Sequence, residues 1–140
     1  MEIRFKKTTA AAVTPAVATD GSAGYDLTAV SYKIDDYGCY CYGTGIAVEI
    51  PKGYVGLVFP RSSISKQGLA LANAVGVIDS DYRGEISAKF RKADEHVKPY
   101  EVGQRVCQLV IVPIETPTFV EVDSLTDTAR GEGGYGSTGK

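Results

Sequence analysis

Alternation of polar and apolar residues with a period of two runs through most of this 140-residue chain. It restricts the fold more than any other property, because such alternation fits a half-buried strand and leaves no continuous apolar stripe for a helix. The stretches YDLTAVSYKI (25–34), CYCYGTGIAVEI (39–50), YVGLVF (54–59), EISAKFRK (85–92), RVCQLVIVPI (105–114) and TFVEV (118–122) are rich in β-branched and aromatic residues. Turn chemistry separates them: DDYG (35–38), PKG (51–53), DYRG (81–84), ADEHVK (93–98) and EVG (101–103). The layout predicts an all-β sandwich or barrel. Residues 8–19, TTAAAVTPAVAT, are rich in alanine, but Pro15 and four threonines argue against a helix, so the segment reads as a loop. A turn or two of helix fits only around Ser62–Lys66.

The length suits one domain, residues 1–129, followed by a distinct tail, 130–140. A net charge of −2 gives no broad cationic face for a nucleic-acid backbone or an anionic membrane, so any phosphate binding must be local. Three cysteines cannot all pair internally, and Cys39 and Cys41 lack the C-x-x-C spacing of a redox or zinc site. They read as reduced packing thiols of an intracellular protein, cytoplasmic or nuclear. EIRFKK after Met1 contains no apolar core of a signal peptide, and no apolar run reaches membrane-spanning length. His96 has no second His or Cys at metal spacing and reads as an exposed loop residue.

The tail, RGEGGYGSTGK, holds five glycines, two cations, two hydroxyls and one aromatic ring. Alone, the tail reads either as a disordered glycine-rich terminus or as a wrap for a nucleoside polyphosphate: glycines let backbone N–H groups approach phosphate oxygens, Arg supplies a planar fork, and a ring stacks on a base. Gly134 to Lys140 also reads G-x-x-x-x-G-K, and Gly131, Gly133 and Gly136 read G-x-G-x-x-G. Neither lies between the strand and helix that a P-loop or a dinucleotide fold requires.

Three central segments add chemistry. In NAVGVIDSDYRGE (73–85) an apolar strand, VGVI, delivers Asp79 into a turn with Asp81 and Tyr82. Such a carboxylate is either a turn residue that satisfies backbone N–H groups or a positioned base. PRSSISKQG (60–68) is either a solvated loop or a phosphate-binding turn anchored by Arg61. In AGYDLTA (23–29), Asp26 sits among apolar neighbours and must be capped, paired or near a metal.

Together and in order, AGYDL, PRSS, GVIDSDYRGE, GQRVCQLV and RGEGGYGSTG resemble the five motifs of the homotrimeric dUTP pyrophosphatase (dUTPase) family, spanning residues 23 to 139. The resemblance implies a distorted jelly-roll subunit, three subunits around an axis with active sites at their interfaces, and Mg²⁺-assisted hydrolysis of dUTP to dUMP and pyrophosphate. It assigns Asp79 as the base that activates water. Arg61, Ser62, Ser63 and Gln108 fall on phosphate contacts, and Mg²⁺ is held chiefly by phosphates and water, with Asp26 acting on it only indirectly through water. Asn73 and the hairpin backbone of Gly76, Val77 and Ile78 fall on the uracil edge, and Tyr82 on the deoxyribose. The tail becomes a lid, with Arg130 on the γ-phosphate, Tyr135 over the base, and Gly136, Ser137 and Thr138 around the phosphates.

Two positions depart from the family pattern. Tyr135 stands where Phe is usual, which keeps the stacking face and adds a hydroxyl. Gln104 stands where an acidic residue is frequent, which removes one partner for a nearby cation and leaves the orientation of Arg105 open. Two alternatives share the fold: a dCTP deaminase, which needs a carboxylate aimed at the base ring, and a non-catalytic dUTP-binding trimer that signals through its lid.

Overall fold

The computed structural model describes residues 1–137 and 139, and folds them into two antiparallel sheets around one apolar core. In chain order the strands are β1 (Arg4–Lys7), β2 (Tyr25–Thr28), β3 (Ser31–Ile34), β4 (Tyr40–Glu49), β5 (Tyr54–Pro60), β6 (Leu69–Leu71), β7 (Gly76–Ile78), β8 (Glu85–Lys92) and β9 (Arg105–Pro113); a 3₁₀ helix, Ser62–Lys66, follows β5. The first sheet runs β1-β4-β8-β6, with β3 also paired to β4; the second runs β2-β9-β5-β7. The all-β fold and the short helix are those that the alternation predicts. Among the described residues no helix is long and apolar enough to cross a membrane.

Alternation positions the core directly in β8, where Ile86, Ala88 and Phe90 are buried while Ser87, Lys89 and Arg91 face out. Tyr42 on β4 is fully buried, edge-on to Phe90 and Tyr100, and its hydroxyl donates to the Tyr100 carbonyl at 3.1 Å. Burial pushes that phenol up to about 12.

The middle of β4 breaks the alternation. Its register on β8 shifts between Gly43 and Ala47, and Gly45 adopts φ +67°. A Cβ there would lie 2.7 Å from Thr9 Cγ2 and 2.8 Å from Ala12 Cβ, so only glycine fits. Side chains replace the missing ladder bonds: Thr44 Oγ1 donates to the Ile86 carbonyl at 2.6 Å, and Glu85 accepts from the Gly45 N–H at 2.8 Å.

Two readings need correction. The run 25–34 is two strands in different sheets, because the Ala29 N–H donates to the Gln104 carbonyl in one sheet and the Val30 N–H to the Gly43 carbonyl in the other. Alternation continues across the crossing and conceals it. The predicted strand TFVEV (118–122) is absent. The Ile114 N–H bonds to the Gly53 carbonyl, after which the chain leaves the sandwich and exposes Phe119, Val120, Val122 and Leu125. Strand propensity without a ladder partner does not make a strand.

Candidate active site

One cluster gathers where β5 ends and β2 pairs with β9. The register places Asp26 opposite Gln108, and Gln108 opposite Phe59. Arg61, directly after β5, points its Nε at Asp26 Oδ1, 2.7 Å away, and Arg105 Nη1 donates to Asp26 Oδ2 at 2.9 Å. Of the three readings open for Asp26, pairing is present in the structure. The carboxylate is mostly buried, and a charge taken from water in this way needs both partners. Gln108 Nε2 donates to the Pro60 carbonyl at 3.0 Å, and a Cβ on Gly24 would lie 2.2 Å from Gln108 Oε1, so Gly24 is the space that admits the amide.

Beside this cluster, Arg61 caps the 3₁₀ helix in extended backbone without a side-chain hydrogen bond to the helix. Ser63 Oγ is buried and has no hydrogen-bond partner. A buried hydroxyl left unpaired two residues after Arg61 suits a ligand oxygen. Gln104 lies in the 101–104 turn, where its Oε1 accepts from the Glu101 N–H at 2.7 Å. Arg105 therefore finds its carboxylate in Asp26, without an acidic neighbour at 104.

The second cluster lies on β7. Asn73, Gly76, Val77 and Ile78 line one cavity of about 400 Å³ with Val58 and Leu71. Ala74 makes the turn into it with φ 59°, and Gly76 packs tightly, since a Cβ there would stand 3.1 Å from Val58 Cβ. β7 pairs only with β5 and ends its sheet, so its other edge offers backbone N–H and C=O groups to a planar ligand. Asp79 follows immediately and is exposed. The turn after it is tied: the Tyr82 N–H donates to the Asp79 carbonyl at 3.1 Å, and Tyr82 Oη to the Glu85 carbonyl at 3.1 Å. The Tyr82 ring lies over Gly84, where any Cβ would collide with it.

The two clusters sit at different ends and edges of the second sheet. Asp26 is level with Phe59, whereas Ile78 is level with Gly56, and β9 and β5 lie between β2 and β7. Strand spacing and rise put Asp79 and the Arg61–Asp26 pair on the order of 20 Å apart.

In the tail, Arg130 Nε donates to the Gly133 carbonyl at 2.8 Å and the Gly131 N–H to Thr128 Oγ1 at 3.0 Å. Gly136 and Tyr135 have positive φ, and the Tyr135 ring is fully exposed. Among the described residues, the hydrogen bonds of Arg130, Gly136 and Ser137 stay within the tail; Thr138 lies outside the described residues. Arg83 and Glu49, which frame the Asp79 turn, were missed by the sequence reading, as was the pairing of Arg105 with Asp26. The only signal for them was Arg within DYRG and within GQRVCQLV.

Two guanidiniums around Asp26 and an edge strand ending in an exposed carboxylate, on one sandwich, fit an all-β enzyme with a charged substrate. Comparison with known proteins narrows that class. A family model for dUTPase matches residues 10–139. The deoxyuridine 5'-triphosphate nucleotidohydrolase of Corynebacterium glutamicum is 47% identical over 130 residues, covering 90% of this chain and 87% of the relative. That of Escherichia phage T5 is 43% identical over 134 residues, covering 89% and 90%. Among solved structures, the Staphylococcus bacteriophage 80alpha dUTPase with dUpNHpp superposes with a TM-score of 0.86 at 28% identity, over 99% of both chains. The chain belongs to the dUTPase family.

Proposed function

We propose that this chain hydrolyses dUTP to dUMP and pyrophosphate at sites shared between copies in a homotrimer. The observation that carries the shared site is the separation of Asp79 from Arg61. A base aimed at the α-phosphorus and a guanidinium on an outer phosphate must be joined by one short triphosphate, and a gap on the order of 20 Å exceeds that reach. Two copies, one presenting β7 and Asp79 and the other presenting Arg61, Ser63 and Gln108, close the gap. The unpaired apolar arm with Phe119, Val120 and Leu125 supports assembly, since such a segment gains by burial against a neighbour. The tail, residues 130–140, serves as a lid that covers a site of the trimer.

In this mechanism an Asp79 oxygen accepts a proton from a water while the water oxygen bonds to the α-phosphorus. The bond from that phosphorus to the bridging oxygen breaks, and pyrophosphate leaves with the bonding pair. Arg61, Ser62, Ser63 and Gln108 donate to phosphate oxygens, and Arg130 from the lid takes the γ-phosphate. The free edge of β7 and Asn73 pair with uracil's O4 and N3–H. Cytosine reverses that donor and acceptor pattern and leaves buried groups unpaired. Tyr82 blocks a 2′-hydroxyl, and Tyr135 stacks on the base.

The residues present fit Mg²⁺ bound through the substrate. Among the described residues no three His, Cys, Asp or Glu side chains gather to hold a metal directly, and both Asp26 oxygens already accept from arginine. When bound, Mg²⁺ neutralises phosphate charge and draws electrons from phosphorus. Free buried thiols at Cys39, Cys41 and Cys107 suit the intracellular setting where such a substrate occurs. Incubation with dUTP, dCTP and Mg²⁺, followed by product separation, tests the reading. dUMP and pyrophosphate from dUTP alone are expected, whereas deaminated product from dCTP, or no product at all, overturns it.

A further inference from the structure

The geometry points to Arg83 as a positioning residue for Asp79, braced from the opposite sheet by Glu49. Arg83 Nη1 donates to the Ser80 carbonyl at 2.7 Å and to the Tyr82 carbonyl at 3.0 Å. One guanidinium nitrogen thus clasps two carbonyls of the turn that begins with the Asp79 carbonyl bonded to the Tyr82 N–H. The other nitrogen, Nη2, lies 3.9 Å from Glu49 Oε1, and the same oxygen accepts from Arg4 Nη2 at 2.6 Å. Glu49 ends β4 and is paired in register with Arg4 on β1, so Arg83 ties the turn after β7, in the second sheet, to the end of β4 in the first.

An exposed ion pair such as Arg4 with Glu49 adds little stability by itself. Arg83 differs, because its hydrogen bonds fix backbone, and the backbone they fix carries both Asp79 and Tyr82. Asp79 has no hydrogen bond of its own side chain among the described residues, so its aim depends on the turn. A general base displaced by about 1 Å loses up to about a hundredfold in rate. Arginine is required because it places two nitrogens, Nη1 on both carbonyls and Nη2 toward Glu49, whereas lysine has one nitrogen and cannot do both.

This inference rests on the assignment of Asp79 as the base, and the experiment separates the two. Arg83→Ala, Arg83→Lys, Glu49→Gln and the control Arg4→Ala are compared with the unaltered full chain for dUTP turnover, affinity for dUpNHpp, melting temperature and exchange of the Tyr82 amide hydrogen. Arg83→Ala is expected to lower kcat about 10- to 100-fold with analogue affinity held within about twofold, and to speed Tyr82 exchange at least tenfold. Arg83→Lys should recover little, Glu49→Gln should move both readings in the same direction by less, and Arg4→Ala should leave kcat unchanged. Added guanidinium ion should partly restore Arg83→Ala. Unaltered kcat and unaltered Tyr82 exchange in Arg83→Ala overturn the inference, as does a fall in kcat that only tracks the melting temperature. If the unaltered chain does not hydrolyse dUTP, the function fails, while Tyr82 exchange still reports whether Arg83 holds the turn.

Discussion

Arg61 and Asp26 meet at 2.7 Å across the end of the second sheet, and the other oxygen of Asp26 is taken by Arg105 at 2.9 Å. The carboxylate therefore sets the direction of two guanidiniums, each with donors left over for a ligand. The family resemblance also implies an indirect link of Asp26 to Mg²⁺ through water, and the two roles separate on substitution.

Asp26→Asn keeps the shape and removes the charge that aligns both arginines. If alignment is its role, KM for dUTP should rise about tenfold or more, in line with loss of charge-assisted hydrogen bonds, with a smaller change in kcat and an unchanged Mg²⁺ requirement. A steeper demand for Mg²⁺ at constant KM would restore the metal role. Steady-state kinetics over a Mg²⁺ titration reads both.

Asp79→Asn removes the base and leaves the turn, whose bonds run through backbone. Turnover should fall by roughly 10²- to 10⁴-fold while dUpNHpp affinity stays nearly constant. Turnover within a few-fold of the unaltered chain excludes Asp79 from proton transfer.

Tyr82 is held against Gly84 by its hydroxyl bond to the Glu85 carbonyl, which makes it a stiff wall. Tyr82→Ala should raise UTP hydrolysis relative to dUTP at least several-fold, by admitting the 2′-hydroxyl. A ratio that does not move assigns the sugar gate to another residue.

Asp35 gives the fold a pH signature away from the site. Its carboxylate accepts from the Cys39 N–H, the Tyr37 N–H and Lys89, and these hold it at about 2 against an ordinary 3.8, the Cys39 N–H most of all. Because the folded state binds this proton more weakly than the unfolded chain, the stabilisation is complete above about pH 4 and disappears as pH falls through about 2. Asp35→Asn should lower the melting temperature at neutral pH and flatten its decline between pH 4 and 2. Equal slopes in both proteins would contradict the pairing.

The long strands β4, β5, β8 and β9 were legible because each runs for seven residues or more through β-branched and aromatic residues, with clean alternation in β8. β1, β6 and β7 were not named as strands of this length and pairing, since three or four residues carry too little pattern and depend on the neighbour they meet. VGVI did show that Asp79 ends an apolar strand. Ala29 and Val30 hide a change of sheet, because both sheets share one core and one period. TFVEV has the composition of a strand and no edge within its own chain. In the candidate site, Asp26, Arg61 and Asp79 stood out by their local segments and Gln108 only through the family resemblance, but the contacts of Arg105 with Asp26 and of Arg83 with Ser80 and Tyr82 are long-range or conformational and leave no local signature.

The central claim is that one active site joins parts of different copies, and the family resemblance extends this to the lid, which is expected to close over a site whose Asp79 another copy supplies. Asp79→Asn with its tail intact and a truncation after Ala129 with Asp79 intact are each expected to be nearly inactive. Both are unfolded and reassembled together in equal amounts. In random trimers about three quarters are mixed, and each mixed trimer has one site of three with both good parts, so activity should recover to about one quarter of the unaltered protein. If base and lid came from the same copy, every site would lack one of them and the mixture would stay as inactive as its components.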